Sequence, residues 1–505
     1  MKRISKSFLF IISCLFVLIA NPNLDSNLVE IKQQYNVVGM SVVITKDSEI
    51  IFSGGYGKRD VSRSLPVNDS TKYRIASISK MVVATALMQL YQQGKFKLEE
   101  DVSQYLDFDL INPKYPEQKI TFKKLLSHTS SLRDGSGYHS FLSAAYSNNP
   151  PHIKELLTPE GDYYSADMFS SHSPKSNYFK YSNINYGVLG TLIEKISGQR
   201  FDRYCRHHVL QPLGMEASFN IDDLSDINNV AVLYRKSSGK WQPQTDNYKG
   251  SYPEARDLEN YQLGENGVLF SPQGGLRCSA NDLAKFLITH SNNGVYKNRR
   301  ILNDTTAVVM HEPKWHYNGS NGNNYYGIFN NYGFGNHTTS ELLPRETMIG
   351  HPGEAYGLIS DMYFSKKYNF GIIFITNGGE WGFGNSGWYN IEEDIFQSCI
   401  EFIDTYTELD FQINQHSPDQ FKLDQNYPNP FNSGTEITFS IPEYSSVKLA
   451  VYDLQGRHIE TLINDQKSAG RYSTLFRNKN IASGFYYYRL ESDELSDTRK
   501  MLLLK

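Results

Sequence analysis

Lys72-Tyr73-Arg74-Ile75-Ala76-Ser77-Ile78-Ser79-Lys80 leads from an extended, β-prone stretch into an apolar helical pattern that continues over residues 81–91. A serine and a lysine at positions i and i+3 of a helix start lie on one face, so the Lys80 amine can take the proton of the Ser77 hydroxyl. Backbone N–H groups at such a helix start favour an oxyanion formed beside Ser77. The segment therefore predicts a nucleophile with its base.

The Ser-x-x-Lys pattern alone is not specific, because it recurs at Ser237-Ser238-Gly239-Lys240 and at Ser445-Ser446-Val447-Lys448. The first copy has the composition of a turn and the second leads into an alternating strand, so neither opens a helix. For Ser77 itself, the alternative to a nucleophile is an N-cap serine in front of a core helix.

Length and composition bound the classes of function. A chain of 505 residues exceeds one ordinary core, which predicts two folded units. The near balance of 50 basic and 54 acidic residues provides no basic surface for nucleic acid. Cys205, Cys278 and Cys399 are widely spaced, so one disulfide pair at most is expected and no metal-binding motif is present. We predict no metal and no cofactor.

The N-terminus has the character of a secretory signal peptide. Basic residues precede an apolar run over residues 8–20 that is too short for a typical membrane span. We expect residues 1–20 to be removed and the mature chain, without a transmembrane span, to begin near Asn21. A lipoprotein-type cleavage that leaves a lipid on Cys14 is the alternative, although the apolar run continues well beyond Cys14.

Hydrophobic periodicity predicts an α+β fold for the larger part of the chain. The predicted helices cover residues 27–35, 81–91, 122–126, 139–146, 184–196, 280–290 and 391–403. Predicted strands cover residues 39–45 and 49–53, joined as a hairpin, and residues 357–364 and 370–376. Strands at both ends with helices between them predict an antiparallel sheet closed by the N- and C-terminal segments of this part.

The composition changes after Tyr406, where a polar, proline-marked stretch predicts a linker over residues 407–424. Beyond it, short alternating runs are separated by Gly, Pro and Asp turns, at residues 436–441, 447–453, 472–477, 485–491 and 499–504. Short strands at regular spacing predict a small β-sandwich over residues 425–505.

Two further segments can complete a serine–lysine site. Tyr181-Ser182-Asn183 ends an extended segment and starts a helix, so its phenol and amide can face one cleft. Tyr146-Ser147-Asn148 has the same composition, but Asn149-Pro150-Pro151 follows it instead of a helix. Without a site, Tyr181 is interpreted as a half-buried tyrosine.

His351-Pro352-Gly353 directly precedes a strand pattern that starts near Ala355. Pro352 has no N–H for a sheet ladder, which predicts a sheet edge at this position. Gly353 would let a substrate backbone approach that edge closely. The alternative for His351 is an ordinary loop histidine.

In this order, the three segments resemble the signatures of the serine β-lactamase and penicillin-binding superfamily. The pattern is most similar to the family of class C β-lactamases, D-alanyl-D-alanine carboxypeptidases and esterases. Leu125-Leu126-Ser127-His128-Thr129-Ser130 and Leu210-Gln211-Pro212-Leu213-Gly214-Met215 resemble further segments of that family. The resemblance implies a β-lactamase/transpeptidase-like fold over residues 21–406: an antiparallel sheet flanked by helices, plus a mostly helical subdomain.

The resemblance also implies roles for the first two segments. Ser77 would attack the substrate carbonyl and form an acyl-enzyme, and Lys80 would activate it. Tyr181 would shuttle protons, with a pKa that the Lys80 charge is expected to depress. Asn183 would hold the substrate amide.

For the third segment, the resemblance implies an oxyanion hole formed by the backbone N–H groups of Ser77 and Glu354. His351 and Gly353 would contact substrate. β-Lactamases usually carry a lysine at the position of His351, and a histidine is largely neutral at pH 7 unless a neighbour raises its pKa. This difference argues against efficient β-lactamase activity.

The C-terminal part has its own resemblance. Tyr427-Pro428-Asn429-Pro430-Phe431-Asn432, Val451-Tyr452-Asp453-Leu454-Gln455-Gly456-Arg457 and Lys500-Met501-Leu502-Leu503-Leu504-Lys505 resemble the type IX secretion sorting domain. This implies export across the outer membrane, with the secretion machinery as partner, and a secreted or cell-surface location. An Ig-like binding module is the alternative.

Together, these observations predict a secreted serine hydrolase that acts on a small peptide or ester. The substrate expected first is a D-amino-acid peptide, including one derived from peptidoglycan, or a carboxylic ester. Two alternatives stay open: a catalytically idle protein that binds peptidoglycan or β-lactams, and a weak β-lactamase.

Overall fold

The computed structural model describes residues 22–504 except positions 148, 260, 344–345, 415–420, 433, 468–469, 478–480 and 493–494. The predicted signal peptide, residues 1–20, and the lipidation alternative at Cys14 lie outside the described residues. The chain divides between Ile400 and Glu401 into two compact units, as its length predicts.

Each of the seven predicted helices is present, and three short helices, over residues 154–157, 201–205 and 304–311, were not predicted. In chain order the α-helices are α1 (Pro22–Gln34), α2 (Ser79–Gln92), α3 (Phe122–Leu126), α4 (Tyr138–Ala145), α5 (Lys154–Leu157), α6 (Asn183–Ser197), α7 (Phe201–Cys205), α8 (Ala280–Ser291), α9 (Asp304–His311) and α10 (Asn390–Asn414). Helix α6 ends at Gly198, which adopts a left-handed conformation with φ of 67°. This is the C-terminal cap that a glycine after the last helical residue favours.

The strands of the first unit are β1 (Gly39–Lys46), β2 (Glu49–Asp60), β3 (Leu65–Pro66), β4 (Tyr73–Arg74), β5 (Leu233–Ser237), β6 (Lys240–Thr245), β7 (Arg277–Cys278), β8 (Val295–Tyr296), β9 (Arg299–Arg300), β10 (Trp315–His316), β11 (Asn331–Tyr332), β12 (His337–Thr339), β13 (Met348–Ala355), β14 (Leu358–Ser365) and β15 (Phe370–Thr376). Seven of them form one antiparallel sheet in the order β12-β13-β14-β15-β1-β2-β3. N-terminal β1 lies beside C-terminal β15, with Met40 opposite Thr376. The predicted closure of the sheet by terminal segments is confirmed.

Helices cover both faces of this sheet. Helix α8 packs on β1, β14 and β15. On the opposite face, Phe396 of α10 lies 6.0 Å from Tyr363 of β14, measured between ring centroids. Tyr35, just after α1, donates a hydrogen bond of 2.5 Å to Asp394 of α10. The α+β fold predicted from the sequence is confirmed.

Helix α2 is the centre of the helical subdomain. Every side chain from Ser79 to Leu90 is buried, and the helix contacts α6, α7 and α9. A helix buried on all sides needs no polar face, which explains the unbroken apolar pattern in the sequence.

The prediction for His351-Pro352-Gly353 was wrong in one respect, because these residues lie inside strand β13 and not before a strand. Glycine and proline at positions 350, 352 and 353 are poor strand formers and hid the strand from a pattern search. Strand β12 pairs with Met348–Gly350 of β13, and among the described residues no strand pairs with the outer edge of residues 351–355. The edge position predicted for Pro352 is confirmed.

Helix α10 continues to Asn414, so the predicted linker, residues 407–424, begins inside a helix. No glycine or proline interrupts residues 407–414, and a change to polar composition does not end a helix.

The second unit is a sandwich of two antiparallel sheets. Its strands are β16 (Lys422–Leu423), β17 (Thr435–Ile441), β18 (Ser445–Tyr452), β19 (His458–Lys467), β20 (Gly470–Phe476), β21 (Gly484–Glu491) and β22 (Ser496–Leu503). Strands β16, β17 and β20 form one sheet, and β19, β18, β21 and β22 form the other. Both sheets contribute to one apolar core, as predicted. Strand β19 was missed because it has no fully buried residue and therefore no clear alternation.

Cys205, Cys278 and Cys399 are buried, unpaired thiols, so no disulfide forms among the described cysteines. None of the helices in the described ranges combines the length and the apolar content of a membrane span.

A buried ion cluster fixes the strand that leads to Ser77. Arg74 donates two hydrogen bonds, of 3.1 and 3.0 Å, to the buried carboxylate of Asp246, and Arg277 donates one of 2.8 Å. Burial alone would raise the pKa of Asp246, but the two guanidinium groups hold it well below its usual range. The pairing of β4 with β7 places both arginines side by side.

Replacing Asp246 by Asn leaves these two guanidinium groups without a counter-charge, so the free energy of unfolding should fall by about 3–5 kcal/mol. The measurement is chemical denaturation of the full chain. Asp304→Asn removes an exposed carboxylate paired with Arg300 and should cost less than about 1 kcal/mol. Equal losses in the two variants would contradict a structural role for the cluster.

Candidate active site

Ser77 lies in a single 3₁₀ turn, Ala76–Ile78, that runs directly into α2 at Ser79. The residue before it, Ala76, has φ of 46°, a left-handed conformation that costs a non-glycine residue conformational energy. No side chain caps either helix start, so the N-cap alternative for Ser77 is wrong. The Ser77 side chain is partly exposed, whereas its neighbours Ala76 and Ile78 are buried.

Lys80 is fully buried, and its amine contacts three oxygen atoms. Nζ lies 3.0 Å from Oγ of Ser77, 2.9 Å from Oδ1 of Asn183 and 2.6 Å from the backbone oxygen of Gln273. Burial lowers the pKa of Lys80 to about 7, although the charge of Asp134 acts in the opposite direction. A neutral amine can donate to the two carbonyl oxygens and still direct its lone pair at the Ser77 hydroxyl.

Tyr181 lies beside this pair, but its predicted pKa shift was wrong in sign. Burial raises the pKa of Tyr181 well above its ordinary value, and the neighbouring Ser77 hydroxyl lowers it only in part. Lys80 Nζ lies over the ring, 4.9 Å from its centroid. Apart from the neighbouring Ser77 hydroxyl, no described group reaches the buried Tyr181 hydroxyl. Removal of the phenol from water therefore decides the direction of the pKa shift.

Asp134 is a site residue that the sequence did not reveal. Its carboxylate accepts hydrogen bonds from the backbone N–H groups of Asn183 and Ile184, both at 2.9 Å, and from Nδ2 of Asn183 at 3.0 Å. These bonds cap α6 and orient the Asn183 amide, so that its oxygen faces Lys80. Asp134 stands in a polar loop far from Asn183 in sequence, and no local pattern links the two.

His128 is a second residue whose position only the structure reveals. Its ring lies 4.3 Å from that of Tyr181, between centroids, and its Nδ1 accepts from the Ser182 N–H at 3.2 Å. Burial, followed by the charge of Lys80, lowers the pKa of His128 well below its usual value. The neutral His128 ring therefore packs against the ring of Tyr181. The ring of Phe329 also stacks on Tyr181, with 5.2 Å between the centroids and nearly parallel planes.

His351 is buried and bonded on both ring nitrogens. Nδ1 lies 2.6 Å from the backbone oxygen of Pro352, so it carries the proton, and Nε2 accepts from the Tyr332 hydroxyl at 2.9 Å. Burial and the charge of Lys80 lower the pKa of His351 well below its usual range. The histidine is neutral near pH 7, as the sequence suggested, and it supplies no cation to the site.

Gly353 makes room for the turn that carries Ser77. A Cβ atom here would approach the backbone oxygen of Ile75 to 2.7 Å and would also collide with Oγ of Ser360. The close approach that we predicted for a substrate backbone is thus made by the protein's own chain. Strand β13 can lie against the Ser77 turn only because this residue has no side chain.

A cavity of about 400 Å³ opens beside Ser77. It brings together six of the seven predicted site residues, namely Ser77, Tyr181, Asn183, His351, Gly353 and Glu354. Lys80 lies behind Ser77 and does not line it. The remaining wall is largely aromatic, from Tyr325, Tyr326, Phe329, Phe383, Trp388 and Tyr389. These residues come from irregular loops, which have no periodicity that a sequence search could use.

A second, wider groove of about 680 Å³ shares only Glu354 with the predicted site. It contains neither Ser77 nor the groups around Lys80. The smaller cavity is therefore the candidate active site, since of these two only it contains Ser77.

Residues 24–394 match the beta-lactamase family, and the chain therefore belongs to that family. Residues 425–504 match the secretion system C-terminal sorting domain. This type IX sorting domain indicates secretion or attachment at the cell surface.

Over 184 residues the chain is 31% identical to protein flp of Staphylococcus aureus strain MRSA252, a match that covers 36% of this chain and 35% of that protein. The chain thus spans about a third of the length of this relative. The D-amino acid amidase of Ochrobactrum anthropi SV3, solved with L-phenylalanine amide, is 19% identical over 77% of this chain and 99% of its own, with a TM-score of 0.56.

The D-alanine carboxypeptidase AmpC of Burkholderia cenocepacia is 18% identical over 76% of this chain and 98% of its own, with a TM-score of 0.52. At these identities, the solved structures establish the fold.

Replacing Gly353 by Ala should lower the free energy of unfolding by about 1–3 kcal/mol, because the new methyl group overpacks the contact with Ile75. Thermal unfolding of the full chain measures this loss. Gly382→Ala is the matched control, since a Cβ there meets no atom within 4 Å. A Gly353 variant as stable as the control would show that β13 does not depend on this contact.

Proposed function

We propose that this protein is a secreted serine hydrolase that forms an acyl-enzyme at Ser77. The observation that supports the proposal most strongly is the 3.0 Å contact between the Ser77 hydroxyl and the buried amine of Lys80. A lysine with a pKa of about 7 is neutral in a large fraction of molecules at physiological pH, as a general base requires.

In the proposed mechanism, Lys80 takes the Ser77 proton while Oγ attacks the substrate carbonyl carbon. The resulting oxyanion is held by the backbone N–H groups of Ser77 and Glu354. The Tyr181 hydroxyl, neutral and without another partner, relays the proton from Lys80 to the leaving amine or alcohol. A water molecule then attacks the acyl-enzyme and gives up a proton, which the Tyr181 hydroxyl relays to Lys80. Lys80 passes this proton to Ser77 Oγ as the bond between Oγ and the acyl carbon breaks.

Asn183 has a narrower role in this proposal than the sequence suggested. Its oxygen binds Lys80 and its amide nitrogen binds Asp134, so both ends of the side chain are engaged. In this proposal Asn183 orients the Lys80 amine. It can offer a substrate only the hydrogen-bonding capacity of its amide that the bonds to Lys80 and Asp134 do not use.

The proposed substrates are D-amino-acid peptides or amides, and carboxylic esters. A neutral His351 offers no charge for the carboxylate of a β-lactam, which argues against efficient β-lactamase activity. The similarity in fold to a D-amino acid amidase and to a D-alanine carboxypeptidase supports an amide substrate. The type IX secretion machinery would deliver the enzyme to the cell exterior, and a peptide derived from peptidoglycan is one of the proposed substrates there.

A fluorescent fluorophosphonate should label the full-length protein covalently, and Ser77→Ala should abolish the labelling. Ser237→Ala, in the exposed β5–β6 hairpin, is the matched control and should be labelled like the unaltered protein. Absence of labelling in the unaltered protein, combined with reversible binding of a penicillin, would favour the idle binding protein. Among active outcomes, release of D-alanine from a D-Ala-D-Ala peptide would identify a carboxypeptidase.

The labelling rate should rise about tenfold per pH unit below a pH of about 7 and become constant above it, because only the neutral Lys80 amine accepts the Ser77 proton. A series of rates between pH 5 and 9, roughly two units on each side of this pKa, checks the expectation.

Tyr181→Phe tests whether the titration near pH 7 belongs to Lys80. If Lys80 is the base, the variant keeps the inflection near the same pH while its turnover of an ester or amide falls by about 10²-fold or more. Loss of the inflection in this variant would assign the titration to Tyr181 and contradict the role of Lys80.

A further inference from the structure

Two acidic side chains meet at the far wall of the active-site cavity. Asp361 is fully buried on β14, directly opposite Pro352 in the sheet register. Glu392, in the first turn of α10, is only 4% exposed and lines the same cavity as Ser77. Neither residue belongs to the acylation mechanism.

The two carboxyl groups lack a cation. Neither forms an ion pair with any described residue, and apart from the Glu392 carboxyl no donor among the described residues reaches the oxygens of Asp361. Glu392 accepts one hydrogen bond, of 2.8 Å, from the backbone N–H of Tyr389. Two carboxyl groups that face each other away from water are costly unless a proton or a positive charge is added.

This energetic cost favours the protonated forms of the two carboxyl groups. Burial and then the charge of Glu392 raise the pKa of Asp361 well above its usual range. Burial likewise raises the pKa of Glu392 to about 8. An arriving cation would allow Glu392 to ionise while Asp361 keeps its proton and donates it to the Glu392 carboxylate.

The cavity gives such a cation a route to Glu392. Strand β13 has a free outer edge beyond His351, and the cavity extends around this edge from Ser77 to the start of α10. Pro352 and Glu354 share the sheet face of Asp361, because directly opposed residues of an antiparallel pair lie on the same side. A ligand attached to Ser77 can therefore reach Glu392 across the strand edge.

The surrounding wall suits an organic cation better than a metal ion. Trp388 and Tyr389, four and three residues before Glu392 in sequence, line the cavity. Tyr326 and Phe383 at the cavity are 93% and 72% exposed. Aromatic faces attract ammonium groups, and a carboxylate among them adds charge and a hydrogen-bond acceptor. Aromatic rings supply no ligand for a hard metal ion.

We propose that Glu392, supported by Asp361, binds a protonated amine of the substrate in the cavity that contains Ser77. This inference rests on the proposed function and narrows it: the preferred substrates carry a free amino group, as amino-acid amides and peptides with a free amine do. A substrate whose cavity-bound group is a carboxylate would meet an acidic wall.

The test compares two probes of similar size and different charge, 2-phenylethylamine and 2-phenylethanol. Calorimetric titration of each into full-length Ser77→Ala protein measures binding without any reaction. The amine should bind about 10-fold more tightly than the alcohol. Adding Glu392→Gln should abolish this preference.

Two variants control for the charge change. Glu393→Gln alters the adjacent acid, whose carboxylate accepts from the Ser386 N–H at 2.7 Å, and should leave the preference for the amine intact. Asp361→Asn should also retain it, because an Asn amide can donate to an ionised Glu392. Melting temperatures of all variants establish that each is folded.

Equal binding of amine and alcohol, a preference that survives Glu392→Gln, or a loss of preference in folded Glu393→Gln or Asp361→Asn would overturn the assignment to Glu392. In those cases the pair of Asp361 and Glu392 would have only a structural role, as a contact between β14 and α10. Failure of the fluorophosphonate to label Ser77 would instead contradict the proposed acyl-enzyme, and the calorimetric result would be unaffected by it.

Discussion

The burial of one amine organises the site around Ser77. Lys80 is enclosed by α2, α6 and the loop containing Gln273, and its three contacts fix Nζ at the hydroxyl of Ser77. The same enclosure removes water, and this loss lowers the pKa of the amine towards neutrality. The position of the Lys80 amine and its lowered pKa therefore have a common cause. An exposed lysine at the same spacing from the serine would have neither the fixed position nor the lowered pKa.

Much of the surrounding structure can be understood as support for this amine. Asp134 caps α6 and turns the Asn183 oxygen towards Lys80. The ion cluster around Asp246 holds the strand before Ser77, and Gly353 allows β13 to lie against the turn. Three separate chain segments thus support the positions of two atoms, Oγ of Ser77 and Nζ of Lys80. The neutral states of His128 and His351 follow from the same removal of water, strengthened by the nearby Lys80 charge.

Local patterns predicted the regular elements well and the site only in part. The apolar run after Lys80 predicted α2, and the periodicity of residues 184–196 predicted α6, because both depend on near neighbours in the chain. Strand β13 escaped detection because residues that suit an active-site edge are poor strand formers. The pKa of Tyr181 was misjudged since a sequence gives the neighbouring charge but not the depth of burial, which outweighs it here.

The sequence by itself determined the family and the C-terminal sorting domain, and it predicted the order of the three site segments and the pairing of Ser77 with Lys80. Each of these depends on residues that are close together in the chain. The tertiary structure alone decided which distant groups complete the site: Asp134 beside Asn183, the aromatic wall, and the acid pair of Asp361 and Glu392. Their chemistry depends on distance and exclusion from water, and both arise only when segments far apart in the chain are packed together.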